Sequence, residues 1–329
     1  MMSNLTTTYL GLTLRNPIIV SSSGLTNSIT KIEKLVNAGV GAVVLKSLFE
    51  EQINQDISNE IYKSQGIDYP EALDYVKGYV RENDLQNYLT LIREAKKRFD
   101  IPVIASINCY SATEWIDFAL QIEKAGADAI ELNVFVVNID KNSDASDYEQ
   151  IYYDVLANVR KVLHIPISMK LGSYFSNLVH IVDRLNISGA KGVVLFNRFY
   201  EPDVDINELK LTSASVFSTP DEIQRTLRWV AIVSSKVKDI DISASTGIHS
   251  GEAVIKQLLV GAKTVQVCSA VYKDGPKIIT EMLEELDLWM GKKEFSAIDD
   301  FRGMMNYSTI PEPHLFERSQ FMKYFSTLE

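Results

Sequence analysis

Ser22, Ser23, Gly24, Lys46, Ser47, Ser106, Asn108, Asn133, Lys170 and Asn197 stand at the downstream ends of apolar runs, as do Ser245, Thr246, Gly247, Cys268 and Ser269. Lys46 and Lys170 close runs that are otherwise apolar, where an unpaired charge is costly. Such a lysine bends outward to water, pairs with a nearby carboxylate, or meets a bound anion. Two of them on one rim favour the anion. The small-residue turns Ser245-Thr246-Gly247-Ile248 and Cys268-Ser269-Ala270 offer backbone N–H groups that suit an anion as well. Either turn alone is equally an ordinary tight turn.

The elements that position these residues repeat. Continuous apolar runs, the pattern of parallel strands buried on both faces, occupy 16–21, 41–46, 102–107, 127–133, 166–171, 191–197, 240–245 and 263–268. Between them lie helical spacings, such as Leu85, Tyr88, Leu89 and Ile92, or Trp115, Phe118, Ala119 and Ile122. Gly39, Gly126, Gly189 and Gly261 each precede a run, where glycine ends a helix at low steric cost. The polar–apolar alternation of Thr6 to Asn16 around Gly11 predicts a hairpin ahead of the first strand. Eight strand–helix units predict one α/β domain over 1–329, a (β/α)₈ barrel of the TIM type with an N-terminal hairpin. Long connections at 47–83, 134–148 and 198–218 all follow strands, on the face where such barrels keep their active sites. The tail from 295 to 329 is expected to pack outside the barrel or on a partner.

Composition narrows the function. A net charge of −10 argues against nucleic acid, whose phosphates call for clustered lysine and arginine. No segment approaches the roughly 18 unbroken apolar residues of a membrane span. The start, Met1 to Thr8, lacks the basic and apolar regions of a secretory signal, so a cytoplasmic location is expected. Two cysteines, Cys109 and Cys268, without metal-ligand spacing, predict neither a disulfide framework nor a metal site.

Several stretches resemble the dihydroorotate dehydrogenases, FMN-dependent barrel flavoproteins of pyrimidine biosynthesis. They are Asn16-Pro17-Ile18-Ile19 leading to Ser22-Ser23-Gly24, Gly41 to Ser47, Glu131-Leu132-Asn133, Pro166 to Leu171, Val194 to Asn197, and Gln266 to Ala270 with Gly275-Pro276. The resemblance implies FMN over the barrel mouth, with Ser22, Ser23, Gly24, Lys46, Ser47, Asn133 and Lys170 around its ring. It implies that Thr246, Gly247, Cys268 and Ser269 hold the phosphate, and that Lys46, Asn133, Asn138 and Asn197 face a dihydroorotate-like substrate. Soluble members are often homodimers.

The departures matter as much. The family carries a cysteine or serine three residues beyond its fourth-strand asparagine, which removes a ring proton as hydride leaves for the flavin. Val136 stands there, and valine accepts no proton. Gly66-Ile67-Asp68-Tyr69-Pro70 replaces a family segment whose asparagine binds substrate. Arg198 follows Asn197 where a small residue is usual, and is either a carboxylate ligand or a solvated loop residue. For a replacement base, Cys109 is the candidate on the active face, against its reading as a buried small hydrophobe. Tyr69 and Tyr110 are weighed against packing roles, and His249 is expected near the phosphate rather than the reacting ring.

Three readings follow: an FMN oxidoreductase for dihydroorotate, one for a different small substrate, or a flavin-binding protein without turnover. The chain has no Rossmann-type GxGxxG, so a nicotinamide would have to dock at the mouth or act through a separate partner, and the sequence does not name the electron acceptor.

Overall fold

The computed structural model describes residues 3–49, 70–108, 115–134, 136–137, 139–199 and 201–317. Cys109, Tyr110, Tyr69 and Asn138 lie outside the described residues.

The antiparallel hairpin β1 (Thr7–Tyr9) and β2 (Leu12–Leu14) comes first, as the alternation predicts. It precedes β3 (Ile18–Val20), β4 (Ala42–Val44), the short β5 (Leu48–Phe49), β6 (Val103–Asn108), β7 (Ala129–Asn133) and β8 (Ile167–Leu171). Next come β9 (Gly192–Leu195), a second hairpin of β10 (Pro202–Asp205) and β11 (Lys210–Ser213), then β12 (Asp241–Ser245) and β13 (Thr264–Val267). All eight predicted strands are present. They pair in parallel as β3-β4-β6-β7-β8-β9-β12-β13, and β13 pairs with β3, so the sheet closes into a barrel.

Helices alternate with the strands: α1 (Ile29–Asn37), α2 (Pro70–Arg98), α3 (Trp115–Lys124), α4 (Ala145–Arg160) and α5 (Leu178–Ile187). They continue with α6 (Ile223–Lys236), α7 (Gly251–Leu259), α8 (Ser269–Asp274), α9 (Lys277–Lys292) and α10 (His314–Glu317). The predicted apolar faces are the buried ones: Leu85, Tyr88, Leu89 and Ile92 of α2, and Phe118, Ala119 and Ile122 of α3, all lie in the strand–helix core. Burying each such leucine or isoleucine stabilises the fold by about 1.5–3 kcal/mol. The four helix-ending glycines take φ between +95° and +111°, which lets the next N–H turn back onto the helix, as in Ala127 N–H to the Ile122 carbonyl.

The first hairpin closes the N-terminal end of the barrel. Tyr9 is fully buried with its hydroxyl 3.0 Å from Ser168 Oγ, and Leu10 N–H donates to Asp241 Oδ2 at 2.7 Å. Tyr9, Leu10 and Leu14 pack with Ile19, Val44, Ile104 and Ala129. The mouth is therefore left to the C-terminal ends of the strands.

Two connections differ from expectation. The predicted 47–83 loop contains β5 and the start of α2, which begins at Pro70, where a missing N–H costs nothing in a first helical turn. The 198–218 connection carries the β10–β11 hairpin, whose Val204 and Leu211 face each other across the pair yet are exposed. Its alternation is a strand pattern without a core to bury, which is why the sequence shows only a loop there. The tail lies against α6 and α7: Met305 N–H donates to the Leu259 carbonyl and Tyr307 N–H to that of Ala231. Among the described residues no helix is long and apolar enough to cross a membrane.

Candidate functional site

Three barrel strands converge on one buried charge. Lys170 of β8 is 6% exposed, and its Nζ lies 3.3 Å from Ser21 Oγ, 3.2 Å from Gln266 Oε1 and 3.6 Å from Glu131 Oε1. Gln266 of β13 donates its amide to Glu131 Oε2 at 2.6 Å. A buried ammonium needs an opposite charge and hydrogen bonds around it, and Glu131 of β7, itself fully buried, supplies the charge. Of the two lysines singled out by the sequence, Lys170 is thus the paired, inward one. Lys46, at the end of β4, is exposed.

Beside this pair, hydroxyls form a chain. Ser22 Oγ and Ser47 Oγ are 2.9 Å apart, Ser47 N–H donates to Ser22 Oγ at 2.8 Å, and Ser47 Oγ reaches Ser106 Oγ at 2.7 Å. Ser23 caps the short turn that starts at Gly24, accepting Leu25 N–H at 3.2 Å. On the other side Asn197 Nδ2 donates to Asn133 Oδ1 at 2.9 Å, joining the ends of β7 and β9.

The two small-residue turns lie together. Thr246 and Gly247 both have positive φ, +81° and +79°, a strained position for a β-branched residue. A Cβ on Gly247 would meet the Ile223 backbone nitrogen at 2.2 Å, so glycine alone fits where α6 begins. Ser269 Oγ accepts Ser218 N–H at 3.0 Å, Ser218 Oγ lies 2.9 Å from His249 Nε2, and Lys273 Nζ donates to the Ser218 carbonyl at 2.9 Å. Burial holds the His249 imidazole below its usual range, aided by Lys273. Burial pushes the Cys268 thiol up, against opposing pulls from Ser23 and Lys170, so it stays protonated at neutral pH.

A cavity of about 190 Å³ connects these parts, running from Ser21, Ser22, Lys170 and Gln266 past Asn197 and Ser218 to Thr246, Gly247, Cys268 and Ser269. A larger, open cavity of about 650 Å³ adjoins it and shares Asn197, Arg198 and Thr246. Most of the predicted site residues therefore gather at one mouth, with a buried cation at one end and backbone turns at the other.

Arg198 also lines that mouth, but its Nε bonds Glu222 Oε2 at 3.0 Å and its Nη1 donates to the carbonyls of Ser215 and Val216 at 2.9 and 3.1 Å. It ties the 198–218 connection to the start of α6. Val136 is half-buried and packs against the core, below which Tyr152 donates to the Val134 carbonyl at 3.4 Å. Glu131, Gln266, Ser21 and Ser218 were not anticipated. Glu131 did carry a signal, because it shares a strand face with Asn133 two residues on, in a run otherwise apolar.

The C-terminal mouth, where (β/α)₈ enzymes keep their active sites, thus carries a paired buried lysine and two small-residue turns. The dihydroorotate dehydrogenase family model matches residues 4–290, and the chain belongs to that family of oxidoreductases. It is 25% identical to the catalytic subunit of dihydroorotate dehydrogenase B (NAD(+)) of Thermoplasma volcanium, over 92% of this chain and 99% of that protein. It is 28% identical to dihydroorotate dehydrogenase A (fumarate) of Limosilactobacillus reuteri, over 86% and 93%. It is 23% identical to the NAD-dependent dihydropyrimidine dehydrogenase subunit PreA of Escherichia coli, over 95% and 79%.

Proposed function

We propose that this chain is an FMN-dependent oxidoreductase acting on a small planar ring of the dihydropyrimidine kind, dihydroorotate or an analogue of it. The observation that carries the reading is the cavity of about 190 Å³ with buried Lys170 at one end and the Thr246-Gly247 and Cys268-Ser269 turns at the other. These donors suit a flavin mononucleotide, whose phosphate takes backbone N–H groups and whose ring takes a cation at its carbonyl edge. Bound there, FMN supplies a two-electron hydride acceptor.

The chain's own residues do the rest. Lys170 would supply the cation at the carbonyl edge of that ring. Ser22, Ser23, Gly24 and Ser47 border the same ring. Asn133 and Asn197, already bonded to each other, leave one amide oxygen and one amide group for a ring ligand. Asn138 and the exposed Lys46 are assigned to the substrate side, and Arg198 to the rim, where its bonds to the loop restrict it. Val136 holds and moves no proton, which favours a substrate other than dihydroorotate as the second reading. A separate electron acceptor and a homodimer complete the proposed reading.

The test is reconstitution with FMN followed by anaerobic mixing with dihydroorotate and, separately, dihydrouracil. Bleaching by dihydroorotate supports the first reading, and bleaching by another ring alone supports the second. Flavin retained with no reduction by any ring makes the chain a binding protein. Failure to take up flavin sinks all three.

A further inference from the structure

Ser218 is held from three directions at the turn end of the cavity. Its N–H is bonded to Ser269 Oγ, its carbonyl to Lys273 Nζ, and its Oγ sits 2.9 Å from His249 Nε2, while the residue lines the cavity beside Thr246 and Gly247. It is 5% exposed, so that hydroxyl has no bulk water to satisfy it. Its proton goes either to His249 or into the cavity.

The direction depends on the imidazole. A neutral ring with its proton on Nδ1 accepts the Ser218 hydroxyl proton at Nε2, and the oxygen then turns lone pairs toward the cavity. A protonated ring donates from Nε2 to Ser218 Oγ, and the hydroxyl proton is released toward the cavity. An anion there is repelled by the first arrangement and accepted by the second.

We propose that Ser218 is a phosphate-binding residue of this site and that His249, carrying its proton on Nδ1 when neutral, is a positioning residue that sets the direction of its hydroxyl proton. The proposal rests on the FMN reading above. The charged groups that face His249 are Lys273, which disfavours its protonation, and Asp274 and Glu222, which favour it; a backbone contact to Ser218 favours it as well. Since burial and Lys273 together hold the imidazole below its usual range, the neutral form prevails at pH 8 and the charged form only in acid. Binding of a phosphate dianion favours the charged form, so phosphate binding takes up a proton.

The experiment measures FMN and riboflavin binding from pH 5 to pH 8 by quenching of flavin fluorescence, in the wild type, His249→Gln and Ser218→Ala. The His249→Gln variant retains the ionisation of the FMN phosphate itself, so the ratio of wild-type to variant affinity isolates the imidazole. The expected ratio shifts about fivefold or more in favour of the wild type between pH 8 and pH 5, in line with one charge-assisted hydrogen bond. Riboflavin, lacking the phosphate, gives a ratio near one throughout. Ser218→Ala reduces the dependence on His249. Parallel FMN curves for wild type and His249→Gln overturn the proposal. Should Ser218→Ala not fold, the difference in protons exchanged on FMN binding at pH 6, with more taken up or fewer released by the wild type than by His249→Gln, carries the same decision. Binding of neither flavin by the wild type at any pH overturns the FMN reading instead, and calorimetric titration with inorganic phosphate then takes its place in the same comparison, parallel curves again counting against Ser218.

Discussion

Glu131 Oε1 lies 3.6 Å from Lys170 Nζ with no hydrogen bond of its own, so this carboxylate oxygen has the ammonium as its compensation. Both side chains are almost wholly buried, at 1% and 8% exposure, and neither has solvent to replace the other. Lys170→Met therefore leaves a buried carboxylate unpaired and should destabilise the fold by about 3–5 kcal/mol. Lys170→Met with Glu131→Gln removes both charges and should cost less than the sum of the two single changes. Urea unfolding of the four proteins of this cycle gives the comparison, and additive costs would count against the pair.

Asn197 and Asn133 share one bond across the mouth, and neither is fully buried. Asn197→Ala removes a neutral hydrogen bond worth about 0.5–1.5 kcal/mol and takes with it an acceptor facing the cavity. Binding of orotate to the flavin-loaded protein should weaken roughly tenfold, while the unfolding midpoint moves little. A large loss of stability with unchanged orotate binding would make the pair a brace rather than part of the ligand site.

The barrel was legible because its signal is local. Each strand buried on both faces is an apolar run, and each helix that ends in a glycine with positive φ marks the next run. The polar lining was only half legible. Lys170 stood out as a charge closing an apolar run, but its partners Glu131 and Gln266 are 39 and 96 positions away, and only closure of the barrel brings them together. The sequence leaves Arg198 either a ligand for a carboxylate or a solvated residue. It has a carboxylate, Glu222, but one from its own chain. Loop residues acquire such partners from the path of the loop, which no periodicity records.

Asp241, at the far end of the barrel, links stability to pH. Burial is the largest influence on its carboxyl and raises its pKa, against the Leu10 N–H bond and the charges of Lys263, Arg302 and Lys191, which lower it. An acid whose folded pKa is raised binds its proton more tightly in the folded state, so stability falls as pH rises from the unfolded value through the folded one. Asp241→Asn keeps an acceptor for Leu10 N–H and carries no charge. The variant should match the wild type below pH 3.8, the unperturbed value, and melt at a higher temperature at pH 7. Thermal unfolding at both pH values checks this, and a variant less stable at pH 7 would show that the surrounding cations outweigh burial.

Val136 offers the most direct test of what this chain does with a ring proton. It is half-buried against the core at the base of the β7 connection, so a residue of similar volume fits without repacking. Val136→Cys restores a group that can accept a proton at the position where the family has one. General base catalysis contributes about 10²–10⁴-fold. If Asn133 and Asn197 already bind dihydroorotate, flavin reduction by dihydroorotate under anaerobic stopped flow should accelerate in the variant by at least tenfold, toward that range. The gain should grow with pH as the thiol ionises, a dependence that the wild type, without the thiol, lacks. If Val136→Cys binds FMN as the wild type does but reduces it no faster, the mouth does not hold dihydroorotate in a reactive position. The substrate is then a different ring, one whose chemistry needs no base from this loop.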